Sequence, residues 1–271
     1  MNSRKKIGTV LPMLILLMMV SGCSESTGPE SQEWQLVWQD EFEGAANQLP
    51  DSTKWDFDIG TGWGNAQLEY DTDRPENVSL DGNGNLAIVA RKEAYQGSAY
   101  TSARITTKGL FERAYGRFEA RIKLPWGQGL WPAFWMLGKN IDDVSWPACG
   151  EIDIMEYRGQ ETSKIHGSLH GPGYCGGNPV TAEYELPNAR FDTDFHIFAV
   201  EWSSNNIDFY VNETRYQAVK PEDVPGTWVF DHPFFIILNV AVGGNYVGPP
   251  NASTVFPQTM LIDYVRVYER K

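Results

Sequence analysis

The chain sustains no helical period. Its apolar residues alternate with polar ones over short runs, and Gly, Pro, Asn or Asp closes almost every run. Leu86 to Arg91, Tyr100 to Thr107, Tyr115 to Leu124, Trp131 to Leu137 and Glu151 to Tyr157 read as strands, rich in Val, Ile, Tyr, Phe and Thr. Lys164 to His170, Phe195 to Trp202, Ile207 to Val211, Phe234 to Ala241 and Met260 to Tyr268 read the same way. Ser203 to Asn206 joins two alternating runs as a hairpin turn, and Asp81-Gly-Asn-Gly-Asn85 is a second turn. No segment repeats. Ten or more short strands at this spacing predict an all-β fold, a two-sheet β-sandwich or jelly roll, with a barrel as the other arrangement.

The strand pattern starts at Trp34, leaving 238 residues for one domain, ample for a large core. Ahead of it, Arg4, Lys5 and Lys6 precede a mostly apolar stretch, Ile7 to Val20. That stretch is too short to span a bilayer and reads as a signal peptide over residues 1–22. It ends in Val20-Ser-Gly-Cys23, which resembles a bacterial lipobox in which Cys23 takes a lipid; ordinary cleavage nearby would leave Cys23 an unmodified thiol. Residues 23–33 then form a polar tether. These features predict export and a place in the cell envelope, as an outer-membrane or surface lipoprotein held to the membrane by its N-terminal lipid. In that oxidising compartment Cys149 and Cys175 are an even pair. Without Arg4, Lys5 and Lys6 the net charge of −13 becomes −16. So acidic a surface disfavours nucleic acid and polyanions, so a polysaccharide substrate would be neutral rather than sulfated.

The chemistry concentrates in Trp146-Pro-Ala-Cys-Gly-Glu151-Ile-Asp153-Ile-Met-Glu156-Tyr157. Alternation puts Glu151 and Asp153 on one strand face, with Ile152 and Ile154 on the other. It would also drive Glu156 into the core, where a lone carboxylate is costly. A β-bulge at Ile154-Met155 returns Glu156 to the polar face. The two glutamates then stand roughly 13 Å apart at Cα, and side chains leaning together close that to about 5–6 Å. A retaining glycosidase holds its carboxyl groups about 5–5.5 Å apart, an inverting one roughly 6.5–9.5 Å. Retention is therefore favoured. Mutual repulsion among three carboxylates also raises at least one pKa, so that one group can donate a proton while another stays ionised. A solvated acidic edge or a metal site is the plainer reading; Ca²⁺ wants more oxygen ligands, usually from a loop.

On the next strand Ile165 and Leu169 face the core, so His166, Ser168 and His170 share the polar face. With residues 157–163 as the turn, antiparallel pairing sets His170 opposite Glu151 and His166 near Glu156. Either ring could donate to a carboxylate or a sugar hydroxyl. The two lack a third ligand, which disfavours catalytic zinc. The same register brings Cys149 close to the partner of Cys175, so a disulfide over the cleft edge is one expectation. Trp131 and Trp135 flank Ala133 on one face while Phe134 and Met136 supply the other. The two indoles suit pyranose faces, although core tryptophans would fit a sandwich too. Trp63 and Asn65 in Gly62-Trp-Gly-Asn65 add a ring and an amide on a loop.

These residues together resemble glycoside hydrolase family 16 in its laminarinase (endo-1,3-β-glucanase) branch. Glu151-Ile-Asp-Ile-Met-Glu156 is similar to that family's E-x-D-x-x-E signature. The resemblance spans the whole domain: Leu36-Val-Trp-Gln-Asp-Glu41-Phe, Gly62-Trp-Gly-Asn65 with Glu69-Tyr70, Tyr100-Thr-Ser-Ala-Arg104, and Gly129-Leu-Trp-Pro-Ala-Phe-Trp135-Met. His166-Gly-Ser-Leu-His-Gly-Pro-Gly-Tyr, Phe195-His, Glu201-Trp and the closing Asp263-Tyr-Val-Arg-Val-Tyr268 complete it. It implies a jelly roll with an open cleft across the concave sheet, and a monomer acting on β-glucan by two-step displacement. In that reading Glu151 is the nucleophile, Glu156 the general acid/base and Asp153 their helper. Asn65, Arg104, Trp131, Trp135 and His170 look like glycone contacts. No cofactor is implied for catalysis. A structural Ca²⁺ is implied on the convex side, held by Glu41, the Gly84 carbonyl and Asp263. Mixed-linkage glucanases of the family lack Met155, whereas its agarase and carrageenan-cleaving branches share the longer motif. A glucan-binding lectin is the reading of another class; such relatives have the two glutamates replaced.

Overall fold

The computed structural model describes Met1 and residues 33–271; the apolar export stretch and Cys23 lie outside the described residues. Two antiparallel sheets hold nearly all the strands. One runs β15 (Thr214–Val219), β14 (Asn206–Val211), β13 (His196–Ser203), β8 (Gly116–Lys123), β17 (Gln258–Arg270), β5 (Leu86–Ala90) and β4 (Val78–Leu80), with β1 (Trp34–Asp40) also paired to β17. The other runs β12 (Val180–Glu185), β11 (Lys164–His170), β10 (Glu151–Glu156), β9 (Leu130–Gly138), β16 (Phe234–Val242), β7 (Arg104–Thr106) and β2 (Asp56–Phe57). A short parallel pair, β3 (Glu69–Asp71) with β6 (Tyr100–Ser102), stands beside them. This is the expected jelly roll rather than a barrel.

Alternation along each strand decides what is buried. Phe134, Met136, Ile152, Ile154, Ile165 and Leu169 from the second sheet join Phe118, Phe198, Val200 and Phe209 from the first in one apolar cluster. Burying such side chains removes the largest apolar areas from water, which is the main force holding the sheets face to face. Strand β16 is buried along its whole length. Its one polar side chain, Asn239, is satisfied because Oδ1 accepts the Trp135 indole N–H at 2.8 Å.

The sequence pattern departs from the structure in two instructive places. Tyr100 to Thr107 is not one strand: it breaks at Ala103, so that β6 pairs with β3 while β7 pairs with β16. Ala103 is fully buried, and the step between sheets turns Arg104 toward the cleft. Strands β12 and β15, not read from the sequence, lie at the edges of the two sheets; β12 alternates half-buried Val180, Ala182 and Tyr184 with exposed Thr181, Glu183 and Glu185, whereas β15 shows no regular alternation. Tyr184 on β12 and Tyr216 on β15 close that edge with ring centroids 5.7 Å apart.

Candidate active site

Gly150 enters β10 with φ +75°, and a Cβ there would sit 2.8 Å from the Phe234 ring, so only glycine fits. From Glu151 to Asp153 the strand pairs regularly with β9, Asp153 lying opposite Trp135. The next pairs are Met155 with Phe134 and Glu156 with Ala133, so the register slips by one residue. On the other side Asp153 pairs with Ser168 and Glu156 with His166. The bulge thus falls at Ile154-Met155, both of which are in the core. It rotates Glu156 back onto the cleft floor beside Glu151 and Asp153, and all three carboxyl groups line one cavity of about 480 Å³.

Burial shapes the ionisation of this floor. It pushes Glu151 up to about 8, with Asp153 adding repulsion. It pushes Glu156 up to about 7, with Glu151 adding repulsion. Asp153, the most deeply set, is pushed well above the carboxylate range by burial and then by Glu156. Each glutamate has its own donors. Trp146 Nε1 donates to Glu151 Oε2 at 2.5 Å. Trp131 Nε1 donates to Glu156 Oε1 at 3.1 Å, and Ser168 Oγ to Oε2 at 3.4 Å. Hydrogen bonds to an ionised carboxylate favour that form, so these donors oppose the effect of burial.

The aromatic residues form the walls. Trp131 and Trp135 point into the cleft as their alternation predicted, and Trp63 and Asn65 come from the loop before β3. Arg104 lies between two of these rings, its guanidinium 4.9 Å from the Trp63 centroid and 4.8 Å from that of Trp135. Asp58 fixes it, accepting from Nε at 2.7 Å. A second cavity of about 640 Å³ continues past Glu156 to His166, Ser168 and His170. There the Trp131 ring lies 4.9 Å from that of Tyr246, tilted by 40°, and Arg158 sits 4.3 Å above the same tyrosine. His170 lies opposite Glu151, as the register predicted, but its Nε2 approaches Asp153 Oδ2 at 3.0 Å. His166 lies opposite Glu156 in register, yet its Nε2 turns toward Glu161, 3.9 Å away.

Trp146, Asn239, Tyr246, Arg158 and Asp58 were not singled out from sequence. Trp146 carried a signal, since it opens the segment that leads into the carboxylate strand. Asn239 carried one too, as the lone polar residue in an otherwise apolar strand.

Two sequence expectations need correction. Cys149 and Cys175 are free thiols. Cys149 is fully buried in a small cluster with Leu137, Phe235 and Ile237, and its thiol donates to the Gly150 carbonyl at 3.5 Å, so it is turned into the packing rather than toward a partner. The calcium ligands do not fit either. Both Glu41 oxygens accept from Arg266, at 2.7 and 2.8 Å, and Asp263 accepts from Arg121 at 2.5 Å. Carboxylates neutralised by guanidinium are poor ligands for a dication, and Gly84 serves the turn between β4 and β5 with φ +82°. Among the described residues, the side chains whose ligand atoms could close on a metal are Glu151, Asp153 and His170, all within 4.8 Å of one another.

Residues 62–266 match the sequence pattern of glycosyl hydrolases family 16, a span that runs from the Trp63 loop to the end of the fold. A β-glucanase from Rhodothermus marinus is 42% identical over 269 residues, covering 93% of this chain and 92% of that protein. A glucan endo-1,3-β-glucosidase from Cryptopygus antarcticus is 37% identical over 254 residues, covering 86% of this chain and 91% of its own. Among solved structures, the laminarinase catalytic domain from Thermotoga maritima superposes with a TM-score of 0.84 at 48% identity, over 89% of this chain and all of that one. The bulged carboxylate strand, the ring-lined cleft and these likenesses agree, and the chain belongs to glycosyl hydrolase family 16.

Proposed function

We propose that this family 16 hydrolase cleaves internal β-1,3-glucosidic bonds of laminarin-type glucans with retention of configuration. The observation that carries the reading is the bulge, which sets Glu151 and Glu156 on one cleft floor, each with separate donors and between aromatic walls. Glu151 attacks the anomeric carbon and forms a glycosyl ester while the glucosidic C–O bond breaks. Glu156 gives its proton to the departing oxygen. Glu156, now ionised, takes a proton from water; the water oxygen attacks the same carbon, and Glu151 leaves as carboxylate. Two inversions retain the configuration. Asp153 stands between the glutamates and couples their ionisation. Catalysis needs no cofactor. Trp63, Trp131 and Trp135 offer flat faces to glucose rings, while Arg104, Asn65 and His166 offer polar groups to hydroxyls.

The test is incubation of the chain with laminarin, mixed-linkage glucan and agarose, following reducing ends and the anomeric configuration of first products. Laminarin cleavage with retention, lost in Glu151→Ala, supports the reading. Inverted products, or activity that survives Glu151→Ala, would sink the mechanism. Activity confined to agarose would overturn the substrate, and preference for mixed-linkage glucan would move it to the 1,3-1,4 class. We also infer export and lipid attachment at Cys23, supported by the basic, apolar and Val20-Ser-Gly-Cys23 segments in that order. A Cys23→Ser chain that still partitions with membranes would count against the anchor.

A further inference from the structure

Under the cleft wall lies a buried acid pair for which the displacement mechanism has no use. Glu69 and Asp71 alternate with Tyr70 on β3, so their side chains share one face, and each is 1% exposed. The Val242 amide donates to Glu69 Oε2 at 2.8 Å, which favours the charge on Glu69. Burial first, and that neighbouring charge next, push Asp71 well above the carboxylate range. Arg104 and the Trp63 indole pull the other way, and Asp58 adds to the rise. Asp71 is therefore a neutral carboxyl group at neutral pH, and its carbonyl oxygen can only accept a hydrogen bond.

The donor beside it is Trp63. The loop that carries this ring has positive φ at Gly60, Gly62 and Gly64, and a Cβ at any of the three would meet nothing within 4 Å, so packing does not hold its backbone. It is tied only near its ends. Gly60 and Asp71 exchange backbone hydrogen bonds of 2.9 and 2.7 Å, and the Asn245 amide donates to the Asn65 carbonyl at 2.7 Å. Between those ties Arg104 lies over the face of the Trp63 ring, 4.9 Å from its centroid, and the indole N–H is buried within reach of the Asp71 carboxyl. Among the described residues neither the indole nitrogen nor Asp71 Oδ1 has a fully aligned partner, and a small turn of the ring would join them. We propose that Asp71 is a positioning residue: as the buried acceptor for the Trp63 indole N–H, it sets the angle at which that ring meets a glucose unit on the cleft wall. One residue then fixes the loop twice, through its backbone at the root and through its side chain at the ring. The kinetic consequence rests on the glucan reading proposed above.

The chain has ten tryptophans, and the ¹⁵N-indole signal missing from Trp63→Phe identifies this one. In the parent it should lie downfield, where a hydrogen-bonded N–H resonates; an unbonded position overturns the proposal. In Asp71→Val, whose branched side chain suits a strand but accepts nothing, the signal should move and its N–H exchange faster. Asp71→Asn keeps a neutral acceptor and should leave it in place. On laminarin, Asp71→Val should raise KM about 3- to 10-fold with kcat nearly unchanged, and Asp71→Asn should keep the parent KM. Trp63→Phe keeps a ring and removes the N–H, so adding Asp71→Val to it should raise KM no further. Additive losses in that double variant, or a KM raised equally by valine and asparagine, would show packing alone and overturn it. A wild-type chain inactive on laminarin would sink the function reading instead, while the indole spectrum still decides this one.

Discussion

Trp146 is the donor whose loss is cleanest to measure. The residue is 44% exposed at the rim, so Trp146→Phe keeps most of the packing and removes one N–H, the one 2.5 Å from Glu151 Oε2. That bond favours the ionised form of a carboxyl already pushed up to about 8 by burial. A hydrogen bond to a charged group is worth about 1.5–3 kcal/mol, and half-exposure places this one near the low end. About 1.4 kcal/mol corresponds to one unit of pKa and tenfold in population. The acid limb of kcat/KM, which reports ionisation of the free enzyme, should therefore move up by about one unit. Below the limb the variant should run about tenfold slower; above it the two proteins should converge, because Glu151 is ionised in both. The assay is reducing-end release from laminarin across pH, with thermal unfolding as the control. Coincident limbs, or an equal loss at every pH, would refute the claim that this indole sets the ionisation of Glu151.

Other perturbations read other parts of the structure. Glu69 is buried, its Oε1 has no partner, and its pKa is raised to about 7 by burial. Its favourable contribution is therefore present while it is protonated and is lost as pH rises from 4.5 to 7. Glu69→Gln should gain stability over wild type across that window, reaching about 3 kcal/mol once Glu69 is ionised, and a pH-independent difference in chemical denaturation would contradict it. Arg104→Ala removes the cation between Trp63 and Trp135, and should raise KM for laminarin about tenfold with kcat changed little; an unchanged KM would remove Arg104 from the binding wall. Cys149→Ser sets a hydroxyl among Leu137, Phe235 and Ile237 and should cost about 1–3 kcal/mol. Reductant should leave the unfolding temperature of the parent unchanged, and a fall would restore the disulfide.

The catalytic strand was legible because one physical conflict could be resolved in one way. A carboxylate at position 156 cannot be buried alone, so the strand had to gain a residue, and Ile154 and Met155 are the apolar pair able to absorb it. The facing histidines followed from register, because a period of two fixes which side chains share a face. What register does not fix is where a side chain ends. His166 and His170 stand opposite Glu156 and Glu151 along the backbone, yet their rings reach Glu161 and Asp153. Edge strand β15 was illegible for a related reason: its exposure, eased by a register shift against β14, does not follow a period of two.

Calcium and the disulfide failed differently. Each was inferred from residues that were right in type, and what decided against them was a competitor distant in sequence. Arg266 reaches Glu41 across 225 residues, and Phe235 packs on Cys149 from β16. A pairwise inference from sequence names a plausible partner without ranking it against every other group the fold brings near. The carboxylate floor escapes this weakness, since its three acids lie within six residues and constrain one another whatever else approaches. Substrate choice rests instead with Trp63, Arg104 and Tyr246, which arrive from three separate loops and strands and line the cleft around the strand that does the chemistry.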